Sequence, residues 1–120
     1  MSVCIVAAGG TFEKHYDEIA GKLGFCASVL PTVIARSRIS QPVRLEQLPL
    51  LDSLDMQDID RRRILACCEH SHHRAIVVVH GTDTMCETGE VLGRAGLLKT
   101  VVLTGAMRKF RRLGNFRHES

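Results

Sequence analysis

At 120 residues, with 45% of them apolar and a formal charge of +3, the chain makes one domain or a piece of one. That charge is too small by itself to argue for a nucleic-acid partner, and aromatics at 4% with no Trp leave the core to Val, Leu, Ile and Ala. The five cysteines, Cys4, Cys26, Cys67, Cys68 and Cys86, are odd in number and follow no framework spacing. With no leader-like segment and no apolar run of membrane length, they predict reduced thiols in a soluble cytoplasmic protein without membrane contact.

Ser2 to Ala8 is an uncharged run that predicts a short buried strand. Gly9-Gly10-Thr11 ends it. Two glycines let the backbone turn tightly and approach a ligand, and they deliver the Thr11 hydroxyl to the carboxyl edge of the sheet. A surface turn is the plainer reading of the same three residues. Neither G-x-G-x-x-G nor the P-loop spacing is present, so this is no nucleotide fingerprint. Phe12 to Gly24 is polar and sustains no period; it predicts a loop with a short helical piece, bounded by glycines. Tyr16, the single tyrosine, is either a packing residue or a phenol that closes over Thr11.

Ala27 to Ser37 carries Val29, Leu30, Val33 and Ile34 at helical spacing, with Pro31 tolerated in the first turn. Val43 to Leu51 reads as a strand, which Pro49 assigns to the outside of the sheet or to the strand's end. The small polar loop Asp52-Ser53-Leu54-Asp55-Met56 follows, with Ser53 or Asp55 as the expected cap of a helix running to about His70. That helix has an imperfect apolar face of Met56, Ile59, Ile64, Cys67 and Cys68, and it places Arg61, Arg62 and Arg63 on the water side. Thiols and imidazoles cluster over Cys67 to His73. A structural metal site wants two ligand pairs separated by an insert, whereas here everything falls in one tract; we read a helix end and no metal.

Ala75 to Val79 is the strongest strand signal, a run of β-branched residues that stops at His80-Gly81. Thr84-Met85-Cys86-Glu87 fits a capping box, so Thr82 and Asp83 fall in the short loop between a strand's carboxyl end and a helix start. In open α/β sheets that is where ligands bind. The helix runs from Met85 to about Ala95, and Thr100 to Thr104 predicts a fourth buried strand. Strand, loop and helix thus alternate, which predicts a three-layer α/β/α domain, a parallel sheet covered on both sides with right-handed crossovers. The basic segment from Arg108 to Ser120 breaks the pattern and reads as a solvated tail rather than a nucleic-acid site.

The strings Ala8-Gly9-Gly10-Thr11-Phe12, Asp52-Ser53-Leu54-Asp55-Met56, His80-Gly81-Thr82-Asp83-Thr84-Met85 and Leu103-Thr104-Gly105-Ala106-Met107-Arg108, in this order, closely resemble the amino-terminal domain of bacterial-type L-asparaginases, the asparaginase/glutaminase family. The stretch Gly10 to Glu18 is most similar to the short-chain members. The resemblance spans residues 3 to about 108, so the expected organisation is a domain over 1–108 and a divergent tail over 109–120. It implies hydrolysis of L-asparagine to L-aspartate and ammonia, with L-glutamine as the other amide substrate. Thr11 would be the nucleophile, and Tyr16 would accept or orient its hydroxyl proton; Thr82 and Asp83 would form the second catalytic group. Ser53 and Asp83 would hold the substrate's α-groups, and backbone N–H groups of Gly10, Thr82 or the capped helix start could stabilise the developing oxyanion. No cofactor or metal is implied, and a homo-oligomer is expected. In full-length relatives a lysine beyond the Thr-Gly-Ala-Met-Arg string completes the Thr–Asp pair. No residue here matches it, so the chain reads as truncated at its carboxyl end. The alternative to an enzyme is a non-catalytic asparagine- or aspartate-binding module of the same fold.

Overall fold

The apolar runs become strands because β-branched side chains pack well on a pleated, buried surface. The computed structural model describes residues 2–10, 15–17, 22–24, 30–37 and 41–105, with backbone alone for 15–17 and 22–24. In chain order the elements are β1 (Val3–Gly9), β2 (His15–Asp17), β3 (Lys22–Gly24), α1 (Leu30–Arg36), β4 (Val43–Leu51), α2 (Asp58–His70), β5 (Ala75–Val79), α3 (Met85–Arg94) and β6 (Thr100–Thr104). A turn of 3₁₀ helix, Ser53–Asp55, precedes α2.

β1, β4, β5 and β6 form one parallel sheet in the order β4-β1-β5-β6. Counted along the chain as strands 1 to 4, that order is 2-1-3-4, the flavodoxin-like arrangement. The chain moves one way from β1 to β4 and the other way from β4 to β5, so right-handed crossovers put α1 and α2 on opposite faces. Packing agrees. Cys4, Val6, Ala8, Ile76 and Val78 face Met56, Ile64 and Cys68 of the α2 side and Leu92 of α3. Ala7 and Val79 face Leu30 of α1, with Ile5, Val33, Leu45 and Leu50 packed beside them. Each large aliphatic side chain so buried contributes roughly 1.5–3 kcal/mol. The three-layer α/β/α architecture is the one expected.

β4 occupies an edge, as Pro49 predicts, and its register against β1 shifts between Ala7 and Gly9, where the partner advances from Gln47 to Leu51. Leu48 therefore packs on the α2 side and Leu50 on the α1 side, although they are two residues apart. Pro31 lies in the first turn of α1. Residues 27–29 of the expected helix lie outside the described residues, as does the tail from Arg108.

Five expectations need correction. His15–Asp17 and Lys22–Gly24 pair as antiparallel strands, so the described residues of the polar stretch are extended rather than loop or helix. β6 is an edge strand with alternating exposure, and Val102 is 50% exposed rather than buried. The cap of α2 is Gln57 and neither Ser53 nor Asp55: Gln57 and Asp60 form a reciprocal capping box, with Gln57 N–H donating to Asp60 Oδ2 at 2.9 Å. Arg61 does not face water. It is 8% exposed, because residues 61, 64 and 68 share one helical row and Ile64 and Cys68 sit in the core. Ile59, off that row, is 55% exposed. The fifth concerns Thr84 and belongs to the site. At the other end of α2, Lys99 Nζ donates to the carbonyls of Cys68 (2.5 Å), Glu69 (3.1 Å) and Ser71 (2.6 Å), which satisfies carbonyl groups that the helix end leaves open.

Candidate active site at the carboxyl edge of the sheet

In a sheet of this order the switch point lies between β1 and β5, and the loops leaving their carboxyl ends form a crevice. Those loops touch. Gly10 has φ +96°, and a Cβ placed on it would come within 2.8 Å of Gly81 N and His80 O. Gly9, at φ +120°, lies equally hard against the Leu51 backbone, and Gly10 N–H donates to Leu51 O at 3.1 Å. Only glycine combines such dihedrals with such close approach. The Gly9-Gly10 pair therefore brings the β1, β4 and β5 loops to one place.

A second junction ties the β4–α2 loop to the β5–α3 loop. Ser53 is 1% exposed; its Oγ accepts the Thr84 N–H at 3.2 Å, and its carbonyl accepts the Thr84 hydroxyl at 2.9 Å. A Cβ on Gly81 would come within 2.7 Å of Ser53 Oγ. Thr84 is the N-cap residue of α3, yet it makes no side-chain bond to its own helix. The Thr84–Glu87 capping box is thus not formed. A local helix cap has been displaced by a tertiary clasp between two loops.

His80 is the hub of the edge. It is 1% exposed, its N–H donates to Thr104 O at 2.8 Å, and its own carbonyl lies against Gly10 and Gly105. The ring reaches Gly81 O from Nδ1 at 2.6 Å and Thr88 Oγ1 from Nε2 at 2.8 Å. Burial holds its pKa below the ordinary value, opposed by the bond to Gly81; Arg61 adds to the lowering and Glu87 opposes it. Sequence reasoning missed His80, Gly81, Thr84 and Thr88 as parts of the site. The available signal was the polar residue ending an apolar run, since a buried imidazole needs partners for both nitrogens.

Of the predicted site residues, Gly10, Ser53, Thr82 and Asp83 are brought together on these loops, with Thr82 and Asp83 exposed at the edge. Thr11 lies outside the described residues. The Tyr16 backbone belongs to β2, paired with Leu23, and its side chain also lies outside them. The Gly10 N–H, engaged with Leu51, is not open to a ligand. Among the described residues no group of three or more His, Cys, Asp or Glu side chains is arranged to hold a metal ion, and no helix is long and apolar enough to cross a membrane. A cavity of about 600 Å³ lies at the opposite end of the sheet, lined by Cys4, Arg44, Glu46, Cys67, His70 and others, and among the described residues none of the predicted site residues lines it. Its guanidinium groups already pair with carboxylates, Arg44 with Glu46 at 2.7 Å and Arg63 with Asp60 at 3.5 Å. The loop geometry at the carboxyl edge identifies the candidate site better than cavity size does.

This chain is similar to known proteins over most of its length. It is 36% identical over 118 residues to one subunit of the glutamyl-tRNA(Gln) amidotransferase of Aeropyrum pernix, a match covering 88% of this chain and 27% of that protein. The thermostable L-asparaginase from Thermococcus kodakarensis superposes with a TM-score of 0.77 at 25% identity, over 91% of this chain and 35% of that one. A probable cytoplasmic L-asparaginase from Campylobacter jejuni does so with a TM-score of 0.68 at 30% identity, over 89% of this chain and 35% of that one. The chain thus spans about a third or less of these relatives' length. The family model for the asparaginase N-terminal domain matches residues 2–115, and with that match the chain belongs to the asparaginase family.

Proposed function

We propose that the carboxyl-edge loops form the amide-binding half of an L-asparagine amidohydrolase, with L-glutamine as the second substrate. The observation that carries this reading is the apposition of Gly10 to the His80–Gly81 backbone at the switch point, in a chain of this family. Thr11 is the residue that follows Gly10 in the sequence.

In the proposed reaction the Thr11 Oγ attacks the side-chain amide carbon and forms an ester, and its proton passes by way of Tyr16 to the leaving amine, which departs as ammonia. Water activated at the Thr82–Asp83 pair then hydrolyses the ester to L-aspartate and free Thr11. A neutral hydroxyl needs such a proton acceptor beside it to attack. Asp83 pairs with the substrate's ammonium group. The substrate α-carboxylate is assigned to Ser53, whose Oγ accepts from Thr84 N–H where the two loops meet. Thr82 N–H supplies a backbone donor for the charge developing on the amide oxygen. These steps draw on the chain's own groups and assign no role to a cofactor.

The domain is taken as residues 1–108, with 109–120 as a basic tail, and the working form as a homo-oligomer. Exposed Val102 on edge strand β6 supports pairing with another chain. The free thiols of Cys4, Cys67, Cys68 and Cys86 support a cytoplasmic setting. Ammonia release from L-asparagine by the purified chain tests the reading. Release that is lost in both Thr11→Ala and Thr82→Ala, with melting unchanged, sustains it. A folded chain that binds L-aspartate but releases no ammonia replaces it with a non-catalytic binding module.

A further inference from the structure

Gly81 O can only accept a hydrogen bond, so the His80 nitrogen 2.6 Å from it, Nδ1, carries the proton. Full burial keeps the ring neutral, and Nε2 therefore presents a lone pair to Thr88 Oγ1 at 2.8 Å. The Thr88 hydroxyl proton then goes to Nε2 in preference to the Met56 sulfur 3.9 Å away. Thr88 is itself buried on the first turns of α3, so the ring is anchored to a helix that leaves the same loop. This chain of bonds runs from helix to ring to loop.

The Gly81 carbonyl belongs to the Gly81–Thr82 peptide, which is planar; the chain's described peptides include no cis bond. In a trans peptide the N–H points opposite to the C=O. A carbonyl drawn inward to a buried ring therefore sends the Thr82 N–H outward, to the side where the Thr82 and Asp83 side chains are exposed. Rotation of this one peptide would turn the donor away from the site without breaking any element of the sheet. Gly81 tolerates many dihedrals, so something outside it must select one.

We infer that His80 is a positioning residue for this site: as the Nδ1–H tautomer it holds the Gly81 carbonyl inward and so aims the Thr82 N–H at the substrate. The inference rests on the reading given under Proposed function, and it adds to that reading a group that touches no substrate and acts through the Gly81–Thr82 peptide.

The test uses the whole chain, labelled with ¹⁵N, and two variants of similar size. Long-range ¹H–¹⁵N spectra at neutral pH should show one histidine with Nδ1 protonated and Nε2 bare, absent from His80→Asn. His80→Asn places an amide donor where Nδ1–H stood and keeps the bond to Gly81; His80→Gln reaches Thr88 and gives up Gly81. With folding matched by thermal melts, kcat should fall by no more than about tenfold in the Asn variant. It should fall by about a hundredfold or more in the Gln variant, the scale of an order-of-1-Å misplacement. A role confined to filling the core predicts the reverse ranking, because Gln conserves more volume. An Nε2–H tautomer, an imidazolium at neutral pH, or equal rates in the two variants overturns the inference. If the wild-type chain releases no ammonia, the amidohydrolase reading fails by itself. The tautomer and the Thr82 amide shift, native-like in Asn and displaced in Gln, then still decide the role of His80.

Discussion

Replacing Thr84 with Asp separates two accounts of the same sequence string. As a capping residue at the start of α3, Thr84 should yield to Asp without loss, since Asp caps at least as well and its charge suits the helix amino terminus. In the structure Thr84 donates its hydroxyl to Ser53 O at 2.9 Å and makes no bond to its own helix. A carboxylate cannot donate, and it would set negative charge against that carbonyl. The Ser53 carbonyl keeps a second donor, Met56 N–H at 3.2 Å, so it is not orphaned when the threonine goes. The loss in Thr84→Val is then that of one ordinary hydrogen bond, about 1 kcal/mol. Thr84→Asp adds the repulsion and should cost about 2 kcal/mol, while Thr84→Ser should stay within about 0.5 kcal/mol of wild type. For a chain of this size 1 kcal/mol corresponds to roughly 4 °C in Tm. Thermal or urea denaturation of the four proteins is the assay. An Asp variant as stable as wild type, or more so, refutes the clasp between the two loops.

Gly10→Ala should lose at least about 2 kcal/mol, because its φ is +96° and the added methyl meets Gly81 N and His80 O at 2.8 Å; denaturation midpoints read the effect. Stability should also depend on pH through His80, whose folded pKa lies below its ordinary 6.5, chiefly through burial. The unfolded chain takes up a proton there that the folded chain refuses. Stability is therefore complete above 6.5 and declines as pH falls from 6.5 toward the folded value. Melts at about pH 7.5 and about pH 5.5 should show a larger loss in wild type than in His80→Asn, and equal slopes would count against a neutral ring.

The strands were legible because their signal is local and strong. Val43 to Leu51 emerges with both ends as expected, and Pro49 marks it as an edge. The loops bearing Ser53, Thr82 and Asp83 were legible for the related reason that apolar runs end abruptly at small polar residues. What escaped sequence reading depends on neighbours distant along the chain. Thr84 and Glu87 satisfy the capping pattern, but a carbonyl thirty-one residues away competes for the hydroxyl and wins. Arg61 looks like one of three solvated arginines until helical phase puts it in the row of Ile64 and Cys68. Its burial is incompletely compensated: Nε has no partner among the described residues, and Asp58 is 3.8 Å from Nη1. The helix still forms, because Ile64 and Cys68 on that row bury enough apolar surface to outweigh it. The paired strands His15–Asp17 and Lys22–Gly24 carry too few apolar residues to show a period of two.

Whether the carboxyl edge is the binding site is decided by titrating the ¹⁵N-labelled chain with L-aspartate, the proposed product, and following the backbone amides. Binding at that edge predicts saturable shifts grouped on Gly10, Ser53, Thr82 and Asp83, the residues that meet there. Shifts confined to the residues around Cys4, Arg44 and His70 at the opposite edge, or none on a folded chain, would contradict it.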